Sequence, residues 1–393
     1  MNCQLSLILA IFAVVSSSAF ADVYFKETFS EDWEDRWVSS QWKEGMGVWE
    51  RSSGKWPVDT DIEQGLRTTQ DAKFYGIGSK MEKPFSNRDQ DLVVQFSVKN
   101  EDKESAFCGG GYIKLLPSDT DLEKFGGDSP YYIMFGPDLC GYDVSRIHLI
   151  FNYKGENLLK TEDIKLEYED KDEFTHLYTL IVKPDNTYTV LFDLEEKASG
   201  SLPEEWDFPS KTIDDPEDTK PEDWVENEMM PDPDDVKPDD WDSIPEMIAD
   251  PEAEKPEDWD DEDDGEWEAP MIMNPEYKGE WEQKMIPNPE YKGEWKPKQL
   301  DNPEYDAEVY AFDDIGAVGF ELWVVNSGSI FDNIFVGNSL DEAKAFAAET
   351  FEITKKGEKD AKAAFDEANK ETEEETEEET VEVEIGETEE KEL

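Results

Sequence analysis

Between residues 22 and 206, apolar side chains recur at every second position in short runs. Tyr188, Val190, Phe192 and Leu194 alternate with Thr189, Leu191 and Asp193, the period of a strand with one buried face. His176 to Val182, Ile147 to Tyr153 and Leu92 to Val98 are similar runs rich in β-branched and aromatic residues. Gly109-Gly110-Gly111, Gly126-Gly127 and Gly136-Pro137 punctuate them. Many short strands without helical spacing between them predict a mainly β fold, a sandwich of the jelly-roll kind. Strand character returns over 306–338, with Gly316 to Val325 nearly all apolar, and this stretch is expected to complete the same sandwich. At Ser339 the period changes. Ser339 with Glu342 is a capping-box pattern, and Ala361, Ala364, Phe365 and Ala368 recur at helical spacing. Residues 339–370 therefore read as a C-terminal α-helix.

Residues 207–305 fit neither period. They hold 15 of the 22 prolines and 6 of the 13 tryptophans. Lys220-Pro221-Glu222-Asp223-Trp224 recurs at Lys237 and at Lys255, with tryptophans stepping by 17 and 18 residues. Gly265-Glu266-Trp267 then recurs at Gly279 and Gly293, and Asn274-Pro275-Glu276-Tyr277 at Asn288 and Asn302, all in steps of 14. Three copies of one unit followed by three of another suggest a Pro-rich repeat arm that runs out and returns, each outward unit paired with a returning one. With so much Pro and so little aliphatic periodicity, its order must come from clusters of Trp and Tyr with Lys stems against the rings. The alternative is a Pro-rich disordered linker.

Lys plus Arg is 37 and Asp plus Glu is 100, a net charge of −63. That excludes general nucleic-acid binding, which needs a basic surface, and argues against docking on anionic lipid. Aromatic residues are 12% of the chain, too many for wholesale disorder. Residues 371–393 are the densest in acid, with 13 Glu and one Lys among 23 residues; this reads as a disordered acidic tail. Residues 1–21 read as a secretory signal peptide, with an apolar run from Leu5 to Val15 and an Ala19-Phe20-Ala21 cleavage site. A buried N-terminal strand is the alternative. No later apolar run approaches the roughly 18 residues needed to span a bilayer. Cys3 leaves with the signal, and Cys108 with Cys140 remain. In an oxidising compartment a disulfide is the natural reading, with two buried free thiols as the alternative. The terminal Glu390-Lys391-Glu392-Leu393 shares its final Glu-Leu with the K-D-E-L retrieval signal.

The repeats, together with Cys108-Gly109-Gly110-Gly111-Tyr112-Ile113-Lys114, Ile133-Met134-Phe135-Gly136-Pro137-Asp138-Leu139-Cys140 and Ile150-Phe151-Asn152-Tyr153-Lys154-Gly155, closely resemble the calreticulin/calnexin family of lectin chaperones of the endoplasmic reticulum. The resemblance runs from Val23 to about Phe365. Membrane-bound members carry four repeats of each type and a transmembrane helix; the three-plus-three pattern here is closer to the soluble branch. The resemblance implies a concanavalin-like sandwich with an inserted hairpin arm. It also implies binding of monoglucosylated N-glycans on newly made glycoproteins and of non-native polypeptides. Recruitment of a disulfide-isomerase-type oxidoreductase by the arm, calcium binding and residence in the endoplasmic reticulum lumen complete the family's picture.

By resemblance the carbohydrate site falls on Tyr112, Lys114, Tyr131, Met134, Asp138, Glu321 and Trp323. Tyr112, Tyr131 and Lys114 offer donors, Asp138 and Glu321 accept, and Trp323 and Met134 supply apolar contact. The family usually has Asp where this chain has Glu321, and a site built on buried hydrogen bonds is sensitive to an added methylene. A single calcium is implied at Thr28, Ile62, Gln64 and Asp332, mostly through main-chain carbonyls, a donor set that suits a hard cation. The acidic tail is expected to hold further calcium weakly, because spaced carboxylates lack a preformed cage. At the arm tip Glu257, Asp258, Trp259 and Asp260 are the implied partner contacts, an exposed Trp ringed by acids that suits a basic surface.

His148 and His176 sit in strand-like runs and read as packed or hydrogen-bonded histidines rather than zinc ligands. An enzyme is not expected. A glycoside hydrolase needs two carboxylates flanking the scissile bond, and Leu191-Phe192-Asp193-Leu194-Glu195 lacks the leading Glu of the E-x-D-x-E pattern found in such enzymes. The rival reading is a calcium-storage or secreted, surface-exposed interaction protein with weak or no lectin activity.

Overall fold

The computed structural model of the chain describes residues 21–29, 32–101, 107–141, 143–259 and 265–389, with side chains as far as Lys370. The body of the predicted signal peptide, Asp260 and the terminal Glu390–Leu393 lie outside the described residues. The described chain divides into two compact units. One comprises residues up to Lys211 and from Pro303 onward; the other is Thr212–Asn302.

The first unit is a sandwich of an eight-stranded and a nine-stranded sheet. The alternating runs become strands, among them Leu92–Asn100, Val144–Tyr153, Thr175–Val182 and Thr187–Phe192. Strand Ser329–Gly337 sits inside the eight-stranded sheet beside Leu92–Asn100. Strand Ile315–Val324 sits inside the nine-stranded sheet, between Lys73–Phe85 and the strands Cys108–Gly110 and Ile113–Pro117. The chain beyond the repeats thus supplies central strands to both layers. The inner faces meet around Phe320, whose ring lies within 4.8–6.3 Å of those of Phe331, Phe96, Trp37 and Trp49. Phe208, inside the segment assigned to the arm from sequence, is buried in this same core with Trp206. Cys108 and Cys140 stand opposite each other in adjacent antiparallel strands and form a disulfide.

The predicted single helix is two. Leu340–Glu349 starts where Ser339 Oγ accepts the Glu342 N–H at 3.4 Å. It breaks at Thr350, whose hydroxyl donates to the Phe346 carbonyl at 2.7 Å. The break lets the first helix pack Ala343 and Phe346 on Val93, Ile181 and Phe335, while Phe351 of the second packs on Leu177 with Ala347. The second helix runs Phe351–Glu389; its backbone thus continues through most of the acidic segment, in keeping with the helix propensity of Glu.

The second unit has no layered core. Three two-stranded ladders follow one another: Thr212–Asp214 with Gln299–Asp301, Met229–Pro231 with Met285–Pro287, and Met247–Ala249 with Met271–Met273. After each ladder the outward Trp donates its indole N–H across the hairpin: Trp224 to the Gly293 carbonyl, Trp241 to Gly279 and, beyond the last ladder, Trp259 to Gly265, at 2.8–2.9 Å. Lys292 and Lys278 lie 5.6 and 5.5 Å over the rings of Trp224 and Trp241. The repeats therefore pair first with last. Gly279 and Gly293 adopt φ of +79° and +84°, a left-handed conformation that glycine enters without strain.

Candidate carbohydrate and cation sites

On the outer face of the nine-stranded sheet, two strands bring distant residues together. Lys114 pairs in register with Gly319, and strand alternation puts Glu321 on the same face. The Lys114 ammonium lies 2.9 Å from the Glu321 carboxylate, both side chains largely buried. The same ammonium sits 4.7 Å from the Tyr131 ring centroid and 5.9 Å from that of Phe125. Met134 stands opposite Lys114 on the next strand. Tyr112 packs against the cluster that holds Tyr131 and Met134. Burial pushes the Tyr112 hydroxyl up, and the nearby Glu321 and Asp138 carboxylates add to the shift. Tyr131 is pushed up to about 12 by burial and then by Glu321. Both phenols therefore remain protonated donors across the physiological range. Asp138 does not join the Lys114–Glu321 pair; it accepts from Arg146 at 3.0 and 3.1 Å.

Trp323, two residues beyond Glu321 on the same strand, is 43% exposed and packs 4.6 Å from Phe74. Six of the seven predicted carbohydrate residues thus converge, and Asp138 reaches them through its field on Tyr112. Arg146, Phe74 and Phe125 are neighbours that sequence reasoning missed. Arg146 had one legible signal, its place in the strand-like run beside Ile147; its cross-strand partner was not readable.

The predicted cation residues fall around strand Ser329–Gly337. Asp332 is buried, and its Oδ1 accepts the Asn333 N–H at 2.7 Å. Burial first, then the charges of Glu27 and Glu63, hold its carboxyl far above the usual range, against that hydrogen bond. It shares a cavity of about 30 Å³ with Glu63, Gly65 and Lys99, but Lys99 pairs with Glu101 and Glu358 instead. Gln64 precedes Gly65, where an added Cβ would lie 3.1 Å from the Asp332 Cβ. The Gln64 side chain is engaged with the Thr60 carbonyl. Thr28 follows Glu27, whose strand pairs with that of Asp332. Ile62 lies in the turn before Gln64, its N–H on the Asp59 carbonyl, with no described contact to Asp332. Glu27 is itself paired with Arg36 at 2.8 Å, so the buried Asp332 carboxylate, with no cation paired to it among the described residues, is the one side chain here whose charge a bound cation would balance. Among the described residues no group of three His, Cys, Asp or Glu side chains could hold a metal by itself, so such an ion would depend on main-chain oxygens.

Both ring nitrogens of His176 lie within hydrogen-bond distance of carboxylates, Nε2 of Asp172 at 2.9 Å and Nδ1 of Asp193 at 3.0 Å, and the ring stacks on Phe192. Burial alone would lower its pKa, but the two hydrogen bonds and the Asp193 charge raise it. Burial, followed by the Arg146 charge, lowers that of His148. At the arm turn, Glu257 and Asp258 are exposed and Trp259 is 37% exposed. Among the described residues no helix is long and apolar enough to cross a membrane.

Comparison with known proteins bears on the family and the fold. A Calreticulin family model matches residues 25–265 and 263–336. Calreticulin of Onchocerca volvulus is 55% identical over 360 residues, covering 91% of each chain. Calreticulin of Chlamydomonas reinhardtii is 55% identical over 371 residues, 92% of this chain and 86% of that one. The T. cruzi calreticulin globular domain superposes with a TM-score of 0.59 at 31% identity, covering 88% of this chain and 100% of that domain. With a matching sandwich, a matching repeat arm and relatives more than half identical along nine-tenths of its length, the chain belongs to the calreticulin family, whose members are calcium-binding lectin chaperones.

Proposed function

We propose that this protein is a calcium-binding lectin chaperone of the endoplasmic reticulum lumen that holds monoglucosylated N-glycans on newly made glycoproteins. The supporting observation is the buried Lys114–Glu321 pair at the foot of an aromatic rim. A buried ion pair is costly to build and costly to break, and here it presents a fixed donor beside a fixed acceptor. A sugar ring entering over it places hydroxyls against the ammonium and carboxylate. Tyr112 and Tyr131 donate, and Trp323 with Met134 covers the ring's C–H surface. Arg146 holds Asp138 ready to accept a hydroxyl at the far end.

Calcium would be held by the carboxylate of Asp332 and the main-chain carbonyls of Thr28, Ile62 and Gln64, where the ends of strands Val23–Glu27 and Gly65–Thr68 meet the strand Ser329–Gly337 that both pair with. The acidic tail would buffer further calcium. Trp259, with Glu257, Asp258 and Asp260, would meet a basic surface of a disulfide-isomerase-type oxidoreductase. Unlike the repeats of Trp224 and Trp241, its repeat has Asp264 rather than Lys before the paired glycine in the sequence.

Titrating the chain with a monoglucosylated oligomannose glycan and its unglucosylated twin, with calcium and with chelator, tests the reading. Selective, calcium-supported binding is expected. Absence of selectivity in the native chain, restored by Glu321→Asp, would leave a storage protein with a drifted sugar site. Asp332→Asn is expected to abolish the calcium-dependent rise in melting temperature.

A further inference from the structure

Six of the chain's ten methionines lie in the arm, and all six occupy ladder strands, positions that ordinarily favour β-branched residues. In the ladder nearest the arm turn, Met247 stands directly opposite Met273. Met271, two residues along from Met273, stands opposite Ala249. Strand alternation therefore puts all three thioethers on one face, their Cβ atoms about 5 Å apart when directly opposed and about 7–8 Å apart on the diagonal. Met247, Met271 and Met273 are 41%, 58% and 71% exposed, so core packing does not account for methionine here. The other face carries Ile248 and Ile272. Hydrogen bonds hold the register at both ends. The Asp250 N–H donates to the Pro270 carbonyl and the Asn274 N–H to the Glu246 carbonyl, both at 2.8 Å. The buried Asn274 side chain adds a third, to the Pro245 carbonyl at 2.8 Å.

We propose that Met247, Met271 and Met273 form a binding site for a soft monovalent cation, copper(I), for which silver(I) is a redox-inert analogue. Thioethers are soft, uncharged donors that select copper(I) over hard cations such as calcium. The three rotatable bonds of each methionine let its sulfur swing inward while the ladder stays fixed. The ion's charge is matched by the surroundings: residues 212–302 carry 33 Asp and Glu against 8 Lys, a field that concentrates cations. Other soft donors compete poorly. Cys108 and Cys140 are joined, and Met81, Met134 and His176 are buried. In the middle ladder Met229 and Met285 stand opposite prolines, leaving two thioethers on that face and a weaker site. The proposal is independent of the glycan and calcium readings.

Titrating the chain, without its predicted signal peptide, with silver(I) in chloride-free buffer tests this, read by the labelled methionine methyl signals. The Met247, Met271 and Met273 methyls are expected to shift together and saturate at one ion per chain, with Met229 and Met285 following only at higher silver. Excess calcium leaves these shifts in place. Anaerobic competition for copper(I) against bicinchoninate gives the affinity of the same site. Met273→Leu, which keeps the side chain's bulk, is expected to weaken binding about tenfold or more, and replacing all three with Leu to abolish the saturable phase. Unchanged indole signals of Trp241 and Trp259 show the hairpin intact, and the native chain's methyl shifts test the site without any substitution. Equal, unsaturable shifts of all the arm methionines, displacement of silver by calcium, or native affinity in the Leu variants overturns the site. So does a failure to bind either ion while an apolar peptide shifts the same methyls, which would make the face a docking strip.

Discussion

The sandwich and the arm solve the same problem in opposite ways. The sandwich hides large rings between two sheets; Phe320, Phe331 and Phe96 are fully buried, and Phe320 packs against both of the others. Its stability is collective, because each ring is packed by strands from distant parts of the chain. The arm hides almost nothing. Its ladders are three residues long, and Met273 is 71% exposed. It holds its shape by repeating one local device: an indole N–H on a glycine carbonyl, with a lysine over the ring in two of three repeats. Such a chain is quasi-one-dimensional, each unit depending mainly on its neighbours. A mutation in the sandwich should therefore be felt throughout that unit, and one in the arm should stay local.

The largest effect belongs to the sandwich centre. Phe320→Ala is expected to destabilise that unit by about 3–5 kcal/mol, seen as an early urea transition, while amide signals of the ladders around Met230 and Ile286 stay put. Loss of those signals as well would erase the contrast. Next comes the disulfide, which closes a separation of 32 residues. Reducing Cys108–Cys140 is expected to cost about 3–4 kcal/mol by chain entropy, again confined to the sandwich.

The His176 triad sharpens the comparison through pH. Its folded pKa is raised, so its contribution is complete below the unfolded value near 6.5 and fades as pH rises through the folded value. Asp172 and Asp193 are lowered, burial being outweighed by their bonds to His176. Their contribution is present above about 4 and is lost as pH falls. His176→Gln should lower the melting temperature at pH 6 and flatten its fall from pH 6 to 8. An unchanged slope would assign the pH dependence elsewhere. The smallest effect is in the arm. Trp241→Phe removes one hydrogen bond, about 1 kcal/mol. It should speed amide exchange between Trp241 and Gly279 without moving the sandwich's melting temperature.

Legibility followed the same division. The pairing of outward with returning units could be read, because the units are copied at fixed spacing; that each indole meets a glycine carbonyl could not. The sandwich strands were legible from their alternation, but not their neighbours. Nothing local says that Lys114 lies beside Gly319, or that Arg146 faces Asp138; these pairs are set by register between strands distant in sequence. The helix break at Thr350 was equally hidden. Either helix alone is regular, and only the need to cover two separate apolar patches bends the chain between them.

The sequence by itself determined the class of fold and the family, and it favoured the paired repeat arm over a linker and a disulfide over free thiols. These depend on periodicity and on short motifs, which are properties of the chain read along its length. The tertiary structure alone decided that Glu321 reaches Lys114 despite its extra methylene, that Asp332 is buried with no cation paired to it among the described residues, and that Trp42 meets Phe74 edge-on. Each is a matter of distance across strands, fixed by sheet register and burial.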